Sequence, residues 1–449
     1  MTTLKNRDRN VMPQGKPSFK EALKFWFKLG WISFGGTAGH INIMHEELVG
    51  QKKWISNSRF FHALNLCMLL PGPEAQQLAI YIGWQLHGKK GGLIAGILFV
   101  LPSMFILLLL SVLYVAFGNQ PWMFAMFNGF KPAVISIIIV ALLGIGKKAL
   151  HTRLHILMCA LAFICIFFFN ISMFLIIIGT ILLAVLIQRL WPALSANRIS
   201  ENDQTSSNEE TFYFNKNSVA RGTNTPNSKS LKQTAIFALI WLTPLLLLYF
   251  LSIDFPFWKD LSLFFTQTAL FTIGGSYTVL PYVAQFSVSK LNWLSKMQMI
   301  DGFALAETTP GPLIIVVCYV GFMAAFNHFS GSILMGTIGL LITTFNTFLP
   351  SFLFIFVGGP IIEKTHGNKT IGNVLGFVTA AVVGVILNLT LFLGKDIIFP
   401  GGVALKRIDL YSLAWIMITL VLMKKFKVNV LYIIGLSLFF GLAHYYIFL

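Results

Sequence analysis

Two copies of the tripeptide Pro-Gly-Pro, Pro71-Gly72-Pro73 and Pro310-Gly311-Pro312, each interrupt a strongly apolar stretch. Proline cannot continue a helix and has no amide to donate, and glycine lets another group approach the backbone. After the second proline a fresh helix can start, with proline in its first turn. That new N-terminus presents unpaired N–H groups and a partial positive charge, an arrangement that binds anions. Inside hydrocarbon, broken backbone is tolerated only where it lines a cavity or meets a ligand. Two breaks in register therefore favour an anion site near the midplane over a pair of merely kinked helices.

The flanks of the breaks differ. Glu74, Gln76 and Gln77 follow the first, whereas Glu307, Thr308 and Thr309 precede the second. A carboxylate at membrane depth is costly and functional by default. Glu74 has two readings that stand about even: a carrier of a coupling proton, or a cap on the new helix, where acids are favoured. Glu307 is a second candidate for the proton. Gly35-Gly36-Thr37 and Gly274-Gly275-Ser276 supply matched small residues and hydroxyls. By themselves the glycines read as close helix packing, while Thr37 and Ser276 are placed to line the same cavity. His40, His45 and His62 lie near the first break without metal-ligand spacing, so they are expected at polar edges. No catalytic triad, phosphate-binding loop or metal set is visible, and no cofactor is expected.

Three markers keep one spacing. Pro71 and Pro310, Gly35 and Gly274, and Trp54 and Trp293 are each 239 positions apart. The chain thus contains its own second copy. The first copy offers apolar segments at 19–44, 60–86, 91–117, 122–146, 154–169 and 171–190; the second offers 257–286, 299–326, 333–357, 371–392, 410–423 and 428–449. An unpaired helix at 231–251 lies between them. Pro102 best matches Pro350, so the second copy is nine residues longer after the break. Thirteen segments result, seven of them before the second copy begins, and an odd number predicts inverted halves. The expected organisation is a first repeat over 1–191 with a basic amphipathic start, a polar linker over 192–231 expected to be disordered, and the extra helix plus second repeat over 232–449.

Composition excludes a soluble protein. The 449 residues are 56% hydrophobic and 11% charged, with mean hydropathy +0.75, against about 25% charged in soluble domains. The net charge of +17 sits largely in short loops such as Lys89-Lys90, Lys147-Lys148 and Lys424-Lys425. That is a positive-inside pattern rather than a nucleic-acid footprint. The clusters at Lys52, Lys53 and Arg59 and at Lys395, Lys406 and Arg407 fit it poorly. The cysteines, Cys67, Cys159, Cys165 and Cys318, all lie in apolar runs and read as small core residues. No cleavable signal peptide is expected. The fold class is all-α: a polytopic membrane protein of two homologous, inverted repeats with helices broken at Pro-Gly-Pro.

The run from Leu64 through Leu70-Pro71-Gly72-Pro73-Glu74-Ala75-Gln76-Gln77, with Phe34-Gly35-Gly36, Trp54-Ile55, Tyr81-Ile82-Gly83-Trp84 and Gly91-Gly92-Leu93, resembles the chromate ion transporter family in its long, two-copy form. The stretch from Gly274-Gly275 through Thr308-Thr309-Pro310-Gly311-Pro312 resembles the family's more divergent second copy. Thr37 and His40 depart from the proline and glutamine that the family's glycine motif carries. The resemblance implies a multi-pass protein of the bacterial inner membrane that exports chromate, a tetrahedral dianion like sulfate, and so confers chromate resistance. With no ATPase motif, an ion gradient or the membrane potential must supply energy, with protons as a possible co-substrate and a homodimer as a possible assembly. Alternatives are sulfate or another oxyanion as substrate, an integral-membrane enzyme acting on lipid phosphate, and a lipid-moving scaffold without ion flux.

Overall fold

The structure, a computed structural model, describes residues 15–33, 36–118, 120–190, 211–215, 218, 220–221, 227–250, 254–272, 279–359, 369–400 and 408–448. It is all-α; among the described residues the β-structure is a single isolated bridge, between Ile55 and Phe214.

The first repeat opens with α1 (Phe19–Ile32), started by a capping box in which Ser18 and Glu21 satisfy each other's backbone. Ala22, Phe25, Trp26 and Leu29 face the core, and Lys20, Lys24 and Lys28 stay exposed. α2 (Gly36–His45) runs into a wide turn over Glu46–Gln51. α3 (Asn57–Leu69) ends at the first break and α4 (Glu74–Phe117) begins after it. The second repeat follows the same course: α9 (Phe255–Leu270), α10 (Leu280–Gln285), a wide turn over Phe286–Lys290, and α11 (Lys296–Thr308) up to the second break. A short turn at Leu313–Ile315 then leads into α12 (Val316–His328).

The duplication is written into the backbone. Lys53 and Asn292, 239 positions apart, both adopt positive φ, at 51° and 49°. Ser56 and Ser295, in the same register, cap α3 and α11 by accepting from the amide three residues on. The amide of Trp54 donates to Leu48 and that of Trp293 to Ser287, each at 2.9 Å. Both Pro-Gly-Pro motifs break the helix where the sequence predicts, with Pro73 and Pro312 at the N-cap, one position ahead of the expected first turn.

α4 is kinked at His87 and Gly88, which leave helical geometry. Its two arms fold back on each other, with Gly83 against Gly91. α12 and α13 (Ile333–Leu353) repeat this hairpin, with Gly321 against Gly339. Small residues at these points let the backbones approach closely. α3 and α11, at 13 residues each, rise about 20 Å, short of the about 30 Å hydrocarbon layer. Seven helices among the described residues are long and apolar enough to cross, the 44-residue α4 with its two arms counted as one, and Arg153–Phe167, Leu313–His328 and Leu410–Lys424 are shorter apolar helices.

The remaining helices interlock the repeats. α5 (Pro121–Ala149) packs against α15 (Leu410–Lys424) and α16 (Val430–Phe448), while its counterpart α14 (Lys369–Ile398) packs against α6 (Arg153–Phe167) and α7 (Met173–Leu190). Each repeat thus lends its last two helices to the other. The unpaired α8 (Asn227–Phe250) leans on α9, where Trp241 donates to Thr266 at 2.8 Å, and leaves Leu239, Leu246 and Leu247 exposed.

The linker corrects one expectation. Most of it lies outside the described residues, but its described stretch is docked rather than disordered. Phe212 and Phe214 are buried, Ser56 donates its amide to Phe214 at 2.9 Å, and Arg59 Nε donates to the Asn215 carbonyl at 3.0 Å. The aromatic residues within this polar segment give it something to bury, which its average composition hides.

Candidate functional site

The two breaks meet the opposite repeat in a reciprocal way. The Gly72 amide donates to the carbonyl of Thr272, at the end of α9, at 2.8 Å; the Gly311 amide donates to the carbonyl of Ser33, at the end of α1, at 2.6 Å. Thr272 and Ser33 are themselves 239 positions apart. A contact in which each partner plays both roles is that of a two-fold interface. Serines from the long hairpin arms complete it. An added Cβ at Gly72 would fall 2.9 Å from Ser351 Oγ, and one at Gly311 would fall 2.9 Å from Ser103 Cβ and nearer still to its Oγ. Both glycines also have φ beyond +100°, so side chains are excluded twice over.

These bonds change what the breaks can offer a ligand. The glycine amides are committed between repeats. The donors left for an anion are the first-turn amides of α4 at Ala75 and Gln76, which have no intrahelical acceptor, and buried side chains. Ser103 Oγ and Ser351 Oγ are fully buried without a hydrogen-bond partner, as is Thr37 Oγ1; the unpartnered side-chain carbonyls of Gln76 and Gln77 are acceptors and give an anion no donor. Gln77 turns its amide back onto the Pro71 carbonyl at 2.5 Å and so braces the break. Glu74 is 8% exposed at the start of α4.

The model of the chromate transporter family matches residues 20–186 and 259–442, once on each repeat. The chain belongs to the chromate transporter family. It is similar to the chromate transport protein of Cupriavidus metallidurans, 26% identical over 410 residues, covering 91% of this chain and 89% of the relative. The probable chromate transport protein of Synechococcus elongatus is 27% identical, with 84% and 85% covered. The chromate transport protein of Pseudomonas aeruginosa is 28% identical, with 84% and 82% covered. No solved structure matches the chain. The protein is a multi-pass membrane transporter rather than an enzyme.

Of the site residues expected in the transporter, the structure brings Pro71, Gly72, Pro73, Glu74, Gln76 and Gln77 together around the first break, and Pro310, Gly311 and Pro312 around the second. Gly36 and Thr37 open α2. Thr308 and Thr309 donate their hydroxyl protons to the carbonyls of Leu305 and Ala306, both at 2.7 Å, so neither is free to donate to an anion. Glu307 edges a small apolar void beside Phe303 and Leu313. Gly35, Gly274, Gly275 and Ser276 lie outside the described residues.

Three groups escaped sequence reasoning. His40, expected at a polar edge, is fully buried at the interface. Its Nε2 bonds the same Ser33 carbonyl that receives the Gly311 amide, at 2.9 Å. Its counterpart is Val279, so this second donor exists at one break alone. Ser103 and Ser351 follow the helix-interior prolines Pro102 and Pro350, and only the spacing of those prolines signals them. Lys131 and Asp301 form a buried pair at 3.7 Å, bridging α5 and α11 across the repeats. A lone lysine inside an apolar run was the available signal.

Proposed function

We propose that this chain is a secondary active transporter that moves chromate, or a similar tetrahedral oxyanion such as sulfate, out of the cell across the inner membrane, and thereby gives chromate resistance. Family membership supports chromate as the substrate. The observation that carries the mechanism is the reciprocal pair of hydrogen bonds, Gly72 to Thr272 and Gly311 to Ser33, flanked by the buried hydroxyls of Ser103 and Ser351. In a site poor in water, such donors gain from meeting a dianion what they lost on burial.

The related halves are read as inverted, with the breaks facing each other near the midplane. Rocking one half against the other would break a single crosswise bond while keeping its twin, and so open the site to one side at a time. Export of a dianion from a cell that is negative inside is favoured by about 2.3 kcal/mol per charge per 100 mV. Glu74, beside the first break, is assigned the coupling proton, with Glu307 as the second candidate. Neutralising Glu74 while the anion is bound would lower the like-charge repulsion between them.

The test is flux in proteoliposomes with an imposed membrane potential. Ser103→Ala combined with Ser351→Ala should lower chromate flux at least about tenfold, the worth of one hydrogen bond to a charged group, while the protein remains folded. Wild-type flux in that variant would sink the midplane site. Inhibition by sulfate at concentrations equal to those of chromate would make sulfate an equal substrate.

A further inference from the structure

A cavity of about 520 Å³, its wall mostly apolar with a few polar and charged side chains, lies at one end of the bundle, lined by residues near the ends of α5, α14, α15 and α16. Its lining includes Phe124, Asn128, Lys131, Asp396, Asp409 and Tyr411. Lys131 is the buried charged group among them, 8% exposed. It sits ten residues into α5, about 15 Å along the helix. An ammonium carries three donors. One is given to Asn128 Oδ1 at 3.0 Å, and the ring of Phe124 lies 5.5 Å away. Asp301 Oδ1 stands at 3.7 Å, beyond hydrogen-bond distance. The other oxygen of Asp301 accepts from Tyr114 at 2.9 Å. Lys131 is thus ion-paired with Asp301 at 3.7 Å without a short hydrogen bond to it, which leaves the ammonium donors beyond the one given to Asn128.

The other acids at the cavity are already engaged. Asp396 is paired with Lys296 at 2.8 Å, and Asp409 accepts from the amides of Tyr411 and Ser412 and from the Ser412 hydroxyl as the cap of α15. Asp301, for its part, lies on α11, the half-helix that ends at the second break.

Given the transport function proposed above, we propose that this cavity is the vestibule of the transporter and that Lys131 is its anion-docking residue. A tetrahedral dianion reaching the cavity takes the free donors of Lys131, and Asp301 is the counter-ion that the anion displaces. Because Asp301 rides on α11, docking at Lys131 loosens α5 from the helix that leads to the Pro310-Gly311-Pro312 turn. The pair therefore acts as a latch between the repeats as well as a binding site.

Removing one member leaves an unpaired buried charge, so the decisive variant is the double one. Equilibrium binding of chromate and of sulfate to the full-length protein in detergent should be compared for wild type, Lys131→Gln/Asp301→Asn, Asp301→Asn and Lys131→Arg, with KM for chromate measured in proteoliposomes. The double variant, which keeps no unpaired charge, should bind both anions about tenfold more weakly and raise KM by the same factor. Asp301→Asn alone should keep or tighten binding, and Lys131→Arg should restore most of it. A purely structural ion pair gives the opposite pattern: wild-type affinity in the double variant, or a loss in Asp301→Asn as large as that in the double. Either result overturns the proposal and leaves the midplane site standing. Wild-type protein that binds neither anion would overturn the transport reading and this one together.

Discussion

Gly311→Ala probes the second break where its geometry is tightest. The residue holds φ at +110°, a conformation that costs an L-residue about 1–3 kcal/mol. The new methyl would also fall 2.9 Å from Ser103 Cβ, an atom that no rotamer change can move away. Such overpacking adds about 1–3 kcal/mol, for a total of about 2–6 kcal/mol. Ser103→Gly supplies the internal control. In the wild type it should cost about 1 kcal/mol, as glycine does in a helix interior. In the Gly311→Ala background it should instead recover the overpacking term, leaving the φ strain. The sign reversal is the prediction, read as a coupling energy in a double-mutant cycle. Denaturant unfolding of the four proteins in mixed micelles measures it. The same cycle run with Gly72→Ala should show no coupling to Ser103, since that glycine faces Ser351 and Gln77. If Ser103→Gly is equally destabilising with and without Gly311→Ala, the two residues do not touch and the interlocked breaks are wrong.

Glu74→Gln should flatten the pH dependence of chromate flux in proteoliposomes while leaving flux driven by membrane potential measurable; an unchanged pH profile removes Glu74 from proton coupling. Arg59→Ala deletes the Nε bond to Asn215, the Nη2 bond to Ser218 and the stacking over Phe214. It should raise the rate of limited proteolysis within 211–221 at least about tenfold, the worth of one charged hydrogen bond in local opening. Unchanged protection would mean that Arg59 does not hold the segment down.

Much of the fold was legible because it rests on local backbone chemistry. Proline and glycine act on their own residues, so Pro-Gly-Pro located both breaks, whereas the caps at Ser56 and Ser295 came from the structure. An apolar run looks alike whether it crosses as one helix or as two halves, so the sequence counts apolar segments rather than crossings. The linker was misjudged because its mean polarity masked Phe212 and Phe214. At the site, Gln76 and Gln77 stood out as polar residues in apolar sequence, but Thr308 and Thr309, equally conspicuous, spend their protons on their own helix.

By itself, then, the sequence determined that the chain is a duplicated membrane protein broken at two matched points, since helix-breaking and hydropathy are properties of neighbouring residues. It could not say what each break touches. The partners of Gly72 and Gly311 are backbone carbonyls, at Thr272 and Ser33, and a carbonyl leaves no mark in a sequence. Lys131 and Asp301 are far apart in the chain and become a pair only when α5 and α11 come together. The tertiary structure decided these contacts, because burial forces each polar group that leaves water to find its partner among whatever distant groups the packing brings near.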